Sequence, residues 1–260
     1  MTFRGQVALV TGAGSGMGRV AVHKVAATGA HVAALDINEA GLAQTAEGWD
    51  NVHPFRCDVT DLERVTAIIH AVEETYGPFD RVVHAAGIMP GALVLDETIE
   101  QAGRIMDINY MGTLHLLLNT LPRMVERGSG DWIAFGSTAG YCPSPFMGAY
   151  SASKAAVNTL IETAHWENLH SGVRILLAAP PPVDTPLLDQ PPPEAIAVRD
   201  TRSSNQTMTP EEMIDAIERD LEKGKPVCTG NTFGAMTVLM RRFIPTRLWK
   251  MALKANGLPA

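Results

Sequence analysis

The sequence has little cysteine, no long apolar run and, over residues 223–260, no acidic side chain at all. Cys57, Cys142 and Cys228 stand far apart with no CxxC pair, and none of the 8 histidines falls at metal-ligand spacing. That excludes a disulfide framework, leaves no metal site to expect and fits a reducing, cytoplasmic location. No stretch reaches the ~18 uninterrupted apolar residues that span a bilayer; residues 114–121 come nearest and are broken by His115 and Asn119. The first six residues run straight into Val7-Ala8-Leu9-Val10, without room for a secretory leader, so export is not expected. Charged residues are only 19% against 46% hydrophobic, which excludes a disordered chain and supplies a core.

What charge there is lies unevenly. Residues 1–222 carry 28 acidic and 14 basic side chains, whereas residues 223–260 carry 7 basic ones. An acidic chain has no general attraction for nucleic acid, so no nucleic-acid partner is expected.

Short apolar runs at residues 6–10, 31–36, 52–57, 81–85, 131–136 and 173–178 read as strands. Helical periodicity fills residues 16–28, 39–47, 60–76, 99–126 and 150–169 between them. Such alternation predicts an α/β fold, a doubly wound parallel sheet of six or more strands buried under two helical layers. The organisation expected is a single dinucleotide-binding domain over 1–230 with a basic helical extension over 231–260. After residue 179 the prolines at 180–182, 186 and 191–193 break the pattern, and the long connection over about 186–208 reads as a substrate flap. Thr209-Pro210-Glu211-Glu212 is a capping sequence that starts a helix running to about Lys223. A further helical tract over 233–255, interrupted near Pro245, holds Arg241, Arg242, Arg247, Lys250 and Lys254.

The chemistry-bearing residues fall at the carboxyl ends of the strands. Val7-Ala8-Leu9-Val10 leads into Thr11-Gly12-Ala13-Gly14-Ser15-Gly16-Met17-Gly18 and then a helix. Gly12, Gly16 and Gly18 form G-x-x-x-G-x-G, a variant of the phosphate-cradling turn in which glycine lets the backbone approach a pyrophosphate at a helix N-terminus. Asp36 ends the second strand 18 residues beyond Gly18, close to the ~20-residue offset of a ribose-binding acid. Ile37 and Asn38 supply no cation for a 2′-phosphate, so NAD is preferred over NADP. Asp58 and Val59 follow the third strand and are candidates for the adenine edge.

Tyr150 and Lys154 stand four apart on one helix face. A phenol of ordinary pKa ~10 is a poor base at neutrality; the Lys154 cation, with an oxidised nicotinamide, is expected to lower it and make Tyr150 a general acid/base. Ser137 ends the fifth strand, where its hydroxyl can orient a substrate oxygen.

Together these residues resemble the short-chain dehydrogenase/reductase family over about residues 5–190. The resemblance implies that Tyr150 exchanges a proton with the substrate oxygen, Ser137 holds it, Lys154 binds the nicotinamide ribose, and Asn109 anchors a proton-relay water. It implies cofactor contacts from Gly12, Ser15, Gly16, Met17, Gly18, Asp36, Ile37, Asp58, Val59, Ala85, Ala86, Gly87, Tyr150, Lys154, Pro180, Val183 and Thr185. Two departures stand out. His84-Ala85-Ala86-Gly87 replaces Asn-Asn-Ala-Gly, and His84 reads as core filling rather than as a replacement for a lost hydrogen bond. Pro180-Pro181 replaces Pro-Gly beside the nicotinamide.

Met89, Pro90, residues 141–147 and the flap from Leu187 onward are expected to face the substrate, and they are mainly apolar. The leading expectation is an NAD-dependent oxidoreductase acting on a lipophilic secondary alcohol or ketone. The alternatives are a reductase of acyl-carrier-linked ketones and an inactive dinucleotide-binding sensor or scaffold. A homodimer or homotetramer is expected from the resemblance. For the basic extension, packing against the acidic body is preferred over a peripheral membrane contact through residues 233–255.

Overall fold

The computed structural model describes residues 3–202 and 207–259. Met1, Thr2 and Ala260, at the limits of the expected division, and residues 203–206 of the expected flap lie outside the described residues. Seven parallel strands form one sheet: β1 Val7–Thr11, β2 His31–Asp36, β3 Val52–Arg56, β4 Arg81–His84, β5 Gly130–Phe135, β6 Val173–Ala178 and β7 Val227–Cys228. Their spatial order is β3-β2-β1-β4-β5-β6-β7. The order reverses between β1 and β4, which opens the crevice at the carboxyl edge where doubly wound sheets take ligands. Six strands fall where the sequence places them, within a residue at each end. The two-residue β7, too short for a periodic signal, completes the far edge.

The helices are α1 Gly16–Ala26, α2 Glu39–Ala46, α3 Leu62–Tyr76, α4 Ile99–Met106, α5 Gly112–Arg127, α6 Gly148–Glu167, α7 Ile196–Arg199, α8 Pro210–Glu222, α9 Thr232–Phe243 and α10 Pro245–Ala255. Alternate strand residues feed opposite layers. Ala8 and Val10 pack with α1 and α8, while Val7 and Leu9 pack with α3, α5 and α6. The capping box that opens α8 forms as the sequence predicts, Glu212 N–H donating to Thr209 Oγ1 and Thr209 N–H to Glu212 Oε2.

The amino edge of the sheet is held by charge. Arg81 is buried and donates to Asp131 Oδ2 from Nη2 at 2.6 Å and to Glu218 Oε1 from Nη1 at 2.5 Å. Its guanidinium also lies 4.7 Å from the Phe3 ring centre. Strands β4 and β5 are thereby tied to α8.

Two expectations are corrected, and the packing preferred for the basic extension is seen. The helix foreseen over 99–126 is interrupted by a π turn over Asp107–Met111, which separates α4 from α5. The flap is not an open loop: it carries a 3-10 turn at Pro186–Asp189 and the short helix α7. The basic extension, two helices meeting at Pro245, does pack on the body, α9 on the turn after β5 and α10 on α7. None of its five cations forms a salt bridge among the described residues.

Candidate active site

A groove of about 950 Å³ opens at the carboxyl edge. Gly12, Ser15, Gly16, Met17, Gly18, Asp36, Ile37, Asp58, Val59, Ala85, Ala86, Gly87 and Thr185 all line it. The glycine turn forms because nothing larger fits. Gly12 has φ +66°, and a Cβ there would stand 2.7 Å from the Ala85–Ala86 backbone; a Cβ on Gly18 would stand 2.0 Å from the Gly12 oxygen. Asp36 is aimed by this turn: its Oδ2 accepts from Gly14 N–H at 2.8 Å and its Oδ1 from Asn38 N–H at 2.9 Å. Asp58 Oδ1 caps its own turn, accepting from Thr60 N–H and Oγ1.

Arg19 is a residue that motif reading passes over. It donates to Gly14 O, Gly41 O and Gln44 Oε1 from Nη2 and to Thr45 Oγ1 from Nε, so its charge is spent on the underside of the turn.

The proton-handling residues lie deeper. Asn109, Ser137, Tyr150 and Lys154 are all buried, and they do not line the groove; nor do Pro180 and Val183. Tyr150 packs with Met89, Met147 and Leu188, and Leu187 and Val198 close around that cluster. Flap residues therefore cover the phenol, held down where Met89 N–H donates to Gln190 Oε1 at 2.6 Å. Arg202 adds a second tie through Asp184, Asp189 and the Thr185 oxygen.

The Ser137 side chain lies close enough to the Tyr150 phenol to favour its ionised form. Lys154 Nζ donates to Phe135 O at 2.7 Å and stands 6.0 Å from the Tyr150 ring centre. Burial dominates both groups: it pushes the Tyr150 phenol up to about 12, opposed by Ser137, and pulls the Lys154 ammonium down to about 8. The expected depression of the phenol by Lys154 is thus not seen in the chain alone, where burial raises the phenol and Ser137 is the group that opposes it.

Asn109 sits in the π turn, a device found at functional sites. Its Oδ1 accepts from Ile88 N–H at 2.9 Å, and its Nδ2 donates to Ile88 O at 3.0 Å and to Ser153 Oγ at 2.9 Å. Thr113 Oγ1 donates to the Asn109 oxygen at 2.6 Å.

Asn158 is a second residue missed by motif reading, although its place four residues after Lys154 on the same helix face was legible. It accepts from Ser137 N–H and donates to Ser137 O, which sets the serine backbone. Helix α6 can come this close because Gly140 leaves room; a Cβ there would meet the Lys154 carbonyl carbon at 2.7 Å. Just before α6, Phe146 takes a left-handed φ of 65°, a strained conformation for a bulky residue beside a candidate site.

Tyr141, expected to face substrate, instead donates to Glu162 and packs toward the sheet. Burial and that carboxylate raise its phenol pKa. His84 is also corrected. It is more than filling, since its Nδ1 meets Thr11 Oγ1 at 2.8 Å across β1 and β4.

A protein-family model described as short chain dehydrogenase matches residues 6–194, the span that carries the glycine turn, Asp36, Asn109, Ser137, Tyr150 and Lys154. The chain belongs to the short-chain dehydrogenase/reductase family. Among relatives, it is 34% identical over 218 residues to glycine betaine reductase ATRR of Emericella nidulans, covering 82% of this chain but only 17% of that much longer protein. It is 32% identical to an uncharacterized oxidoreductase of Staphylococcus epidermidis, with 71% of this chain and 80% of that one aligned. A solved short-chain dehydrogenase/reductase of Burkholderia phymatum, in complex with NAD, superposes with TM-score 0.83 at 25% identity, covering 96% of this chain and 97% of that one. Family members of this kind are oxidoreductases, and no helix among the described residues is long and apolar enough to cross a membrane.

Proposed function

We propose that the protein is an NAD-dependent oxidoreductase that transfers a hydride between nicotinamide and a lipophilic secondary alcohol or ketone, with Tyr150 as general acid/base. The observation that carries this reading is the convergence of Ser137, Tyr150 and Lys154 behind Gly87, which lines the groove together with the glycine turn and Asp36.

The residues present fit a dinucleotide. The glycine turn is a cradle that a Cβ would fill, the Asp36 carboxylate suits ribose hydroxyls and repels a 2′-phosphate, and the groove runs from there to Gly87 and Thr185. The NAD bound to the Burkholderia relative supports the same reading. NAD supplies the hydride acceptor. Ser137 holds the substrate oxygen, and Tyr150 takes its proton as the alcohol is oxidised or returns one as the ketone is reduced. Lys154, fixed by the Phe135 carbonyl, stabilises the phenolate. Asn109, held in the π turn by Ile88 and Ser153, anchors a water that continues the proton relay, and Asn158 sets the Ser137 backbone. Pro180 and Val183 join Thr185 in shaping the nicotinamide end.

Substrate class follows from what covers Tyr150: Met89, Met147, Leu187, Leu188 and Val198 present apolar atoms. Exposed Leu118 on α5 and Trp166 on α6 support a homo-oligomeric assembly through those helices, and three free cysteines suit a reducing cytoplasm. Turnover with a panel of secondary alcohols and ketones, with NAD and NADP in parallel, tests the reading. Turnover with NAD and apolar substrates is expected; no turnover on any substrate, or a clear NADP preference, overturns it.

A further inference from the structure

Helices of globular proteins turn their apolar stripe inward and their charge outward. α10 obeys: Leu248, Trp249, Ala252 and Leu253 are partly covered, while Arg247, Lys250 and Lys254 form an exposed cationic ridge at i, i+3 and i+7. α9, packed against it, does the reverse. Phe233, Met236, Leu239 and Phe243 lie along one stripe of that helix, and each is more than half exposed. An apolar row beside a row of cations marks an interaction surface, and the absence of any acidic residue over 223–260 says what sign its partner carries.

We propose that the outer face of α9 and α10 docks on an anionic lipid surface, and that residues 231–260 are an extension serving this contact. The apolar row enters the boundary between headgroups and acyl chains while Arg242, Arg247, Lys250 and Lys254 meet phosphate and carboxylate headgroups. The cations are free to do so, because none forms a salt bridge among the described residues. A second copy seated symmetrically on the same face would oppose the five cations of α9 and α10 to five more, which disfavours self-association there.

The two helices that carry the docked face pack beside the flap. α9 packs on the turn after Ser137, and Asn256, just past α10, accepts from Ala197 N–H of α7 at 3.1 Å. The docking itself does not depend on the oxidoreductase reading, and its test measures binding alone.

Full-length protein is floated with vesicles of pure phosphatidylcholine and with equimolar phosphatidylcholine and phosphatidylserine, at low and high salt. Flotation is expected with the anionic vesicles only, weakening as salt rises. Replacing Arg247, Lys250 and Lys254 with Gln lowers the partition coefficient about a hundredfold, at ~1 kcal/mol for each cation. Met236→Gln/Leu239→Gln/Phe243→Gln abolishes flotation while these exposed changes leave the melting temperature unaltered, separating lost docking from lost folding. No flotation with anionic vesicles at low salt, or equal flotation of all three proteins, overturns the proposal. Self-association that the apolar triple variant removes, without flotation, assigns the face to a second copy instead.

Discussion

Thr11 and His84 are joined across the two strands that flank the topological switch, Oγ1 to Nδ1 at 2.8 Å. Thr11 Oγ1 also accepts from Ala86 N–H at 3.3 Å, and the other ring nitrogen, His84 Nε2, is buried with no hydrogen-bond partner among the described residues. The pair links the floor of the glycine turn to the strand end that leads into Gly87. Burial keeps this imidazole neutral, with the Lys154 cation acting in the same direction, and pulls its pKa down to about 3.

A pH dependence of stability follows. The unfolded chain protonates His84 near 6.5 and the native one near 3, so between those values the unfolded state binds the extra proton and stability falls as pH falls. At pH 5 the loss from this group is on the order of 2 kcal/mol relative to pH 8. Urea midpoints of wild type and His84→Gln, measured from pH 8 to pH 4.5, are expected to show a shallower acid limb for the variant. Parallel limbs would show that His84 titrates normally.

Tyr150 is expected to be indispensable for proton transfer and dispensable for cofactor affinity. Tyr150→Phe should lower kcat by about 10²–10⁴ while NAD affinity, measured by fluorescence titration, stays within a few-fold. A variant that keeps wild-type kcat removes Tyr150 from the chemistry.

Asp36 is held toward the groove by the Gly14 and Asn38 amides. Asp36→Ala removes charge-assisted hydrogen bonds to ribose hydroxyls, each worth about 1.5–3 kcal/mol, and should raise the KM for NAD roughly ten- to a hundredfold. The KM for NADP should rise less or fall, because repulsion of the 2′-phosphate goes with the carboxylate. The ratio of kcat/KM for the two cofactors reads this directly; an unchanged ratio dissociates Asp36 from cofactor choice.

At the opposite edge, Arg81→Met should destabilise the fold by about 3–5 kcal/mol, since buried carboxylates at Asp131 and Glu218 lose their shared cation. Guanidinium unfolding measures it. A loss under about 1 kcal/mol would mean that the cluster relaxes or hydrates as an exposed pair does.

Much of this is legible in the sequence. Strand and helix succession follows from local hydrophobic period, and period 2 against 3.6 is a property of neighbouring residues. The glycine turn, Asp36 and the Tyr150–Lys154 spacing are likewise local, so their residues could be named from the chain, and 13 of the 17 cofactor residues named from it line one groove. The family match over residues 6–194 is in accord with that reading.

Other features were decided only when distant segments met. Whether the Lys154 charge or burial governs the Tyr150 phenol depends on how completely Leu188 and the flap exclude water, a balance that no spacing encodes. His84 gains its partner from a threonine 73 residues away. The π turn at Asn109 answers to Ile88 and Ser153, and the outward apolar face of α9 appears only once the body it packs on is in place. Sequence determined which chemical groups the protein owns and in what local frames; tertiary structure determined their solvation, because desolvation is a sum over everything nearby in space, whatever its position along the chain.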